Sequence, residues 1–324
     1  MSVDAKEQIS LKVTYKKALI DDVDQRLDNY LAKHLKGVPR SMLYRILRRG
    51  EVRVNKKRVS PSYKLQLNDE IRIPPIRVSK GPVTIPSSNL HLVKDLEKRI
   101  IYENEMLMIV DKPAGLAAHG GSGIEFGLIE AIRALRPDAP FLELAHRLDR
   151  DTSGCIIIAK RRSALRSLHE QFRERVVKKR YMTIVPGKWD RRTKLIEAPL
   201  KRNELKSGER MVEVNFAQGA PSATGFDIVK LLDGATLLAA MPHTGRTHQI
   251  RVHCAYVKHP VGNDGKYGDK EFNKRLQSLG LKRMFLHAFK IAFIDPHDSK
   301  LKKVEAPLPD EFLKAIDLLK LNNE

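Results

Sequence analysis

The chain has 324 residues, 42% of them hydrophobic, and 60 Lys and Arg against 39 Asp and Glu leave a net charge of +21. That size allows two domains with an apolar core. No apolar run reaches the roughly 20 residues of a membrane-spanning helix, and two distant cysteines, Cys155 and Cys254, suggest neither a disulfide framework nor a zinc site. So large a positive excess suits a polyanion, nucleic acid foremost. A membrane partner would call for a basic amphipathic helix or a lipidation motif, and neither is evident.

Residues 1–19 mix acids and bases without an apolar stretch. They read as an N-terminal extension with no secretory signal, and a cytoplasmic location is expected. Residues 20–76 read as a small domain. Leu27, Tyr30, Leu31 and Leu35 recur at helical spacing. Ser41 is placed to cap a second helix that Gly50 ends. On that helix Leu43, Ile46 and Leu47 share one side, and Arg45, Arg48 and Arg49 another. A strand through Val52 and Val54, a turn at Asn55-Lys56-Lys57 and a strand through Ile71 and Ile73 follow. Residues 24–75 carry 13 Lys and Arg against 5 Asp and Glu, so one face of this domain is expected to be basic. The segment resembles the S-four type RNA-binding domain in Arg26-Leu27-Asp28, Arg40-Ser41, Ile46, Gly50, Val52-Arg53-Val54-Asn55 and Asn68-Asp69. It departs where Lys56 and Asn68 stand in turn positions that usually hold glycine. The resemblance implies RNA contacts from Arg40, Arg45, Arg48, Arg49, Arg53, Lys56, Lys57 and Arg58.

Residues 77–98, with Pro, Ser and Gly early and charges late, read as a linker. From residue 99 to 324 the pattern is α+β. Apolar β-rich runs recur at 106–110, 155–159, 181–185, 212–216 and 235–240. A helix is predicted at 163–175, with Ala164, Leu165, Leu168 and Phe172 on one face. Strands follow one another without regular helical crossovers, which predicts a mixed, mainly antiparallel sheet flanked by helices.

Three polar clusters interrupt these runs, where loops or element ends display function. The first runs from Asp111-Lys112-Pro113-Ala114-Gly115 to His119 and Gly121-Ser122-Gly123. The second is His146 to Gly154, and the third is Thr244 to His253. Taken alone, Asp149-Arg150-Asp151-Thr152-Ser153-Gly154 reads as a tight turn, although Arg147 and Arg150 flank the acid and nearby cations favour a carboxylate. Two carboxylates so close also raise a glycosidase-like hydrolase, whose acids must flank one bond. A non-catalytic RNA-binding protein is the other rival. His243, His248 and His253 are spaced by five, which suits neither one helical face nor one strand face, so no metal is expected.

Together the clusters resemble the RluA family of pseudouridine synthases. His146-Arg147-Leu148-Asp149-Arg150 with Thr152-Ser153-Gly154 matches the family's catalytic signature. Lys112-Pro113 with Gly115 and His119 matches its first motif, Lys179-Arg180-Tyr181 its Lys-x-Tyr element, and Gly245 to Arg251 its third motif. Within the family, Val52 to Arg58 and Ser163 to Glu170 bring the chain nearest to members acting on large-subunit (23S) ribosomal RNA. The resemblance implies isomerisation of uridine in that RNA, a redox-neutral reaction that needs no cofactor. It makes Asp149 the catalytic acid residue, Arg251 its ion-pair partner and Tyr181 the residue that stacks on the base. Arg147 would fill the space of a flipped-out uridine, Ile250 would pack beneath the base, and His146 and Lys179 would help bind substrate. Lys112, Pro113 and Gly115 are expected to shape the fold. The protein is expected to be a monomer.

Overall fold

A computed structural model of the chain describes residues 13–35, 38, 40–76, 86, 87, 90–120, 125–204 and 210–321. Gly121-Ser122-Gly123 and most of the early part of the expected linker lie outside them. The chain divides into two compact units, Met1–Val83 and Thr84–Glu324.

The first unit contains β1 (Thr14–Lys17), α1 (Leu27–His34), α2 (Arg40–Arg48), β2 (Arg53–Val54) and β3 (Glu70–Ile73). The strands form an antiparallel sheet in the order β1-β3-β2. Leu27, Tyr30 and Leu31 of α1 and Leu43, Ile46 and Leu47 of α2 pack with Val52, Val54, Ile71 and Ile73 into one core. The helical periodicity of the sequence is therefore the buried stripe of each helix. Two local expectations are corrected. β1 lies within the supposed extension and pairs Thr14 with Ile73; its residues, Thr-Tyr-Lys-Lys, are too polar to read as a strand without their partner. The second helix starts at Arg40, so Ser41 lies in its first turn and does not precede it. The side chains of Arg40 and Ser41 are outside the described ones. Asn55 and Lys56 both adopt left-handed backbone, with φ of 50° and 65°. That geometry suits a two-residue hairpin turn but costs a residue such as lysine about 1 kcal/mol. The Asn55 side chain braces the turn, donating to Asp69 Oδ1 at 2.7 Å and accepting the Glu70 N–H at 2.9 Å.

The second unit runs α3 (His91–Lys98), β4 (Ile100–Glu103), β5 (Leu107–Lys112), α4 (Leu128–Leu135), β6 (Glu143–Leu144), β7 (Ser153–Ala159), α5 (Arg162–Arg173) and β8 (Lys178–Pro186). It continues with β9 (Leu195–Glu197), β10 (Leu200–Glu204), β11 (Arg210–Val214), β12 (Ala223–Leu232), β13 (Ala235–Pro242) and α6 (Gln249–Tyr256). It closes with α7 (Lys270–Ser278), β14 (Leu286–Ile294), β15 (Leu301–Glu305) and α8 (Asp310–Leu318). The main sheet has the order β4-β5-β7-β14-β8-β13-β12-β9, with β15 on β14 and β6 on β7. Every neighbouring pair is antiparallel except β7 with β14, so the predicted mixed, mainly antiparallel sheet is what forms.

Helices cover both faces near β7. Ile156 and Ile158 join the core under α3 and α4, while Cys155, Ile157 and Ala159 join the core under α5. This two-sided burial is why residues 155–159 are apolar without alternation. The end of the supposed linker is helix α3, which buries Val93 and Leu96 against α4; its charged outer face gave it the look of a linker. β11 ends at Val214, before Phe216, because Asn215 turns the chain by accepting the amides of Ala217 and Gln218 at 3.1 and 2.8 Å. Among the described residues no helix is long and apolar enough to cross a membrane.

Candidate active site

The loop that carries Asp149 enters β7, and the end of β5 holds it. Lys112 is fully buried, and its Nζ donates to the carbonyls of Pro113, Leu116 and Arg150 at 2.9, 2.7 and 2.9 Å. Three acceptors match the three protons of an ammonium, although burial pushes the amine down to about 7. The Gly115 N–H also donates to the Arg150 carbonyl at 2.9 Å. At Gly154 a Cβ would stand 2.3 Å from the Ala288 carbonyl and φ is +105°, so β7 and β14 approach there only around glycine. The residue after Asp149 is therefore fastened to the sheet by a buried cation.

β8 brings Lys179 and Tyr181 to the same site, two residues apart and so on one face of the strand. Tyr181 packs against two core clusters and is half-buried; burial pushes its phenol up. The third polar cluster is the approach to α6. Gln249 accepts from Thr244 Oγ1 at 2.7 Å and the Arg246 N–H at 3.0 Å, and donates to the Ala223 carbonyl and Thr224 Oγ1, both at 2.9 Å. This buried amide fixes the start of the helix, and with it Ile250 and Arg251.

These elements enclose a cavity of about 520 Å³ lined by Arg147, Asp149, Lys179, Tyr181, Ile250 and Arg251, among others. Arg251 Nη1 donates to Asp149 Oδ2 at 3.1 Å. Its Nε and Nη2 donate to Asp264 Oδ2 and Oδ1 at 2.7 and 2.8 Å. Burial lowers Arg251, but its bonds to Asp264 and the charges of Asp264 and Asp149 outweigh it and hold the guanidinium charged. Burial raises Asp264, yet Arg251 and the amides of Lys266 and Tyr267 outweigh it and keep the carboxyl below its ordinary value. The Tyr267 ring lies under the guanidinium, 5.1 Å from centre to carbon. Arg150 turns away and pairs with Asp151 at 3.2 Å. Asp149 is the one carboxylate lining the cavity among the described residues, beside the cations Arg147, Arg173, Arg175, Lys179, Arg246 and Arg251.

One side chain expected to bind substrate has another occupation. His146 lines the cavity, but its Nε2 accepts the Ile157 N–H at 3.0 Å and its ring packs on Phe172. Burial pushes it down to about 3, so the ring is a neutral part of the fold. His253 is buried on Ser222, Thr224 and the Ala198 carbonyl, at 3.0, 2.9 and 3.0 Å. Among the described residues no group of His, Cys, Asp and Glu could hold a metal ion.

In the first unit Arg45, Arg48, Arg49, Arg53, Lys56, Lys57 and Arg58 are exposed. Arg58 reaches the Arg48 carbonyl, Arg53 the Gly50 carbonyl at 3.3 Å, and Arg49 lies 3.9 Å from Glu51.

Residues 106–256 match the RNA pseudouridylate synthase family, and residues 25–71 match the S4 domain. The chain is 55% identical to ribosomal large subunit pseudouridine synthase C of Pasteurella multocida (strain Pm70) over 300 residues, 93% of this chain and 92% of that protein. It is 52% identical to the protein of that name from Escherichia coli (strain K12) over 305 residues, 94% and 95% of the two chains. The chain belongs to the RNA pseudouridylate synthase family. It is an RNA pseudouridine synthase of the RluA type with an N-terminal S4 domain. Its fold is similar to human RNA pseudouridylate synthase domain containing 4, with a TM-score of 0.57 at 24% identity, covering 70% of this chain and 95% of that one. Domain containing 1 of the same human series gives 0.53 at 27% identity, covering 65% and 83%.

In this synthase the sequence reading missed Asp264 and Tyr267, and gave His248, though it lies within the third motif, no role beyond a rejected metal ligand. Asn263-Asp264-Gly265 has the composition of a turn and forms one, since Asp264 Oδ1 also accepts the Lys266 and Tyr267 amides. The one signal of a further role was an acid and an aromatic together in a glycine-bounded segment close after the third cluster.

Proposed function

We propose that this synthase isomerises specific uridines of large-subunit (23S) ribosomal RNA to pseudouridine, with Asp149 as its catalytic residue and the target base flipped out of its stack. The observation that carries the reading is Asp149 itself, a half-buried carboxylate ion-paired to a buried arginine, on a cavity wall whose Lys and Arg side chains outnumber this one acid six to one. Such a cavity suits a polyanion that presents one reactive sugar. Relatives more than half identical over most of the chain bear the ribosomal large subunit in their names.

The isomerisation breaks the ribose C1′–N1 bond, turns the uracil and joins C1′ to C5, with the C5 proton released and N1 reprotonated. Asp149 supplies the carboxylate that either attacks the ribose or, in a glycal-type route, takes up its C2′ proton. Arg251 keeps that carboxylate charged and aimed. Tyr181 stacks on the uracil, an interaction worth about 1–3 kcal/mol, and Ile250 packs against it. Arg147 takes the place of the flipped base, offsetting part of an unstacking cost of a few kcal/mol. Lys179, which has no carboxylate partner among the described residues, receives a phosphate. The exposed cations of the first unit, with Arg40, grip the RNA backbone. No cofactor enters this scheme. We assign the protein to the cytoplasm as a monomer, which sedimentation with and without RNA would check.

Mapping pseudouridine in 23S rRNA made with wild-type protein, with Asp149→Asn and with neither tests the reading. Asp149→Asn is expected to form no pseudouridine and to bind RNA within a few-fold of wild type. Substantial turnover by that variant would refute the assignment, and free uracil as product would favour a hydrolase.

A further inference from the structure

The two oxygens of the Asp149 carboxylate stand in different surroundings. Arg251 Nη1 at 3.1 Å and His248 Nε2 at 3.8 Å both converge on Oδ2. Oδ1 has no hydrogen bond to the described residues, and the side chain is 23% exposed, on the wall of the cavity. Tyr267 stands behind both groups that reach Oδ2. Its ring face carries Arg251, and its hydroxyl lies 2.8 Å from His248 Nδ1.

The proton positions follow from the hydrogen bonds. The Tyr267 hydroxyl oxygen accepts the Val212 N–H at 2.9 Å. It has one proton to give, and among the described residues His248 Nδ1 is the acceptor within reach. An imidazole that accepts at Nδ1 and is neutral carries its proton on Nε2, the nitrogen that faces Asp149. Burial, joined by the charges of Arg251 and Lys266, pushes His248 below its ordinary value against the opposing charges of Asp149 and Asp264, so the neutral ring prevails at pH 7. The residue also occupies left-handed backbone, φ 54° and ψ 18°, at the N-cap of α6. A histidine adopts that conformation at a cost, and such strain persists where surrounding contacts enforce it.

We propose that Tyr267 and His248 are positioning residues for Asp149: the chain Val212 N–H, Tyr267 O–H, His248 Nε2–H directs a second donor at Oδ2, leaving Oδ1 as the oxygen that acts on the ribose. This rests on Asp149 being the catalytic carboxylate. The 3.8 Å gap is longer than a hydrogen bond and is expected to close when RNA shuts out water, as catalytic contacts often tighten in the substrate complex.

The experiment is single-turnover pseudouridine formation by the full chain on an rRNA fragment holding its target uridine, with RNA affinity and melting temperature measured beside it. Tyr267→Phe keeps the ring under Arg251 and removes only the hydroxyl. Its rate is expected to fall about fivefold, the size of one hydrogen bond, with RNA affinity within twofold of wild type. His248→Gln, which can still offer an N–H to Oδ2, is expected to keep most of the rate that His248→Leu loses. The double variant His248→Leu/Tyr267→Phe is expected to be no slower than His248→Leu, because the hydroxyl acts through the ring. A wild-type rate for Tyr267→Phe, equal rates for His248→Gln and His248→Leu, or multiplying losses in the double variant would overturn the positioning roles while leaving the synthase reading intact. No pseudouridine from the wild type would overturn both.

Discussion

Asp264→Asn probes the support of the site most directly. The Asp264 side chain is completely buried and makes two bonds to Arg251, which is itself 7% exposed. Asparagine preserves the volume, but it removes the charge and turns one amide N–H toward a guanidinium that can only donate. Removing one partner of a buried pair costs about 3–5 kcal/mol. At about 2 cal/mol/K of unfolding entropy per residue, a unit the size of Thr84–Glu324 loses about 2 °C per kcal/mol, so its melting temperature is expected to fall by about 6–10 °C. The sign of the pH dependence follows from Asp264 lying below its ordinary value of 3.8 in the fold. Its contribution is complete above 3.8 and is lost as pH falls through the lower folded value. Calorimetry of wild type and variant is therefore expected to show the full gap at about pH 7, narrowing below pH 3.8. Arg251, released on one side, no longer aims Asp149, and a misplacement near 1 Å can cost about 100-fold in rate. An unchanged melting temperature together with a wild-type rate would refute the claim that Asp264 holds the Arg251–Asp149 pair.

Lys112→Met strands the Pro113 and Leu116 carbonyls, while Arg150 keeps its bond from Gly115. A loss of about 3 kcal/mol is expected, with slower turnover because the loop beside Asp149 loosens; thermal melting and single-turnover rates check it. His146 remains neutral in the fold down to about 3, whereas the unfolded chain takes up its proton below 6.5. Stability is thus expected to decline as pH falls from 6.5 toward 3, by up to about 1.4 kcal/mol per unit. His146→Gln, whose oxygen can still accept the Ile157 N–H, is expected to flatten that slope, and an equal slope in calorimetry would contradict it. Replacing Arg45, Arg48 and Arg49 together by alanine is expected to weaken rRNA binding and to reduce its salt slope by about 1 for each phosphate no longer neutralised. Titrations at several salt concentrations measure this, and an unchanged slope removes those residues from the interface.

Local pattern alone determined a good part of this protein. The stripes of α1, α2 and α5 and the apolar runs of β5, β7, β8 and β13 are readable because burial of a helix or strand face is written in residues a few positions apart. The charge excess is legible in the composition, whereas the S4 segment and the candidates Asp149, Tyr181 and Arg251 came from motifs that resemble known families, since the Asp149 run taken alone reads as a turn. Tertiary structure alone decided where the supporting groups stand. Arg251 meets Asp149 across 102 residues, and no periodicity encodes that distance. β1 is a strand only because β3 offers it a partner, and α3 is a helix of the second unit only because α4 and β5 bury its Val93 and Leu96. His146 stands in the signature as though it served substrate, until the fold sets the Ile157 amide against its nitrogen. Asp264 reads as a turn residue and is one, but the turn lies where α6 presents Arg251, so the same carboxylate caps backbone amides and anchors the guanidinium. A side chain's local bonds are set by its neighbours in sequence. Its charge partner is set by the order of the sheet and the placing of α6, which follow from burying the whole core at once.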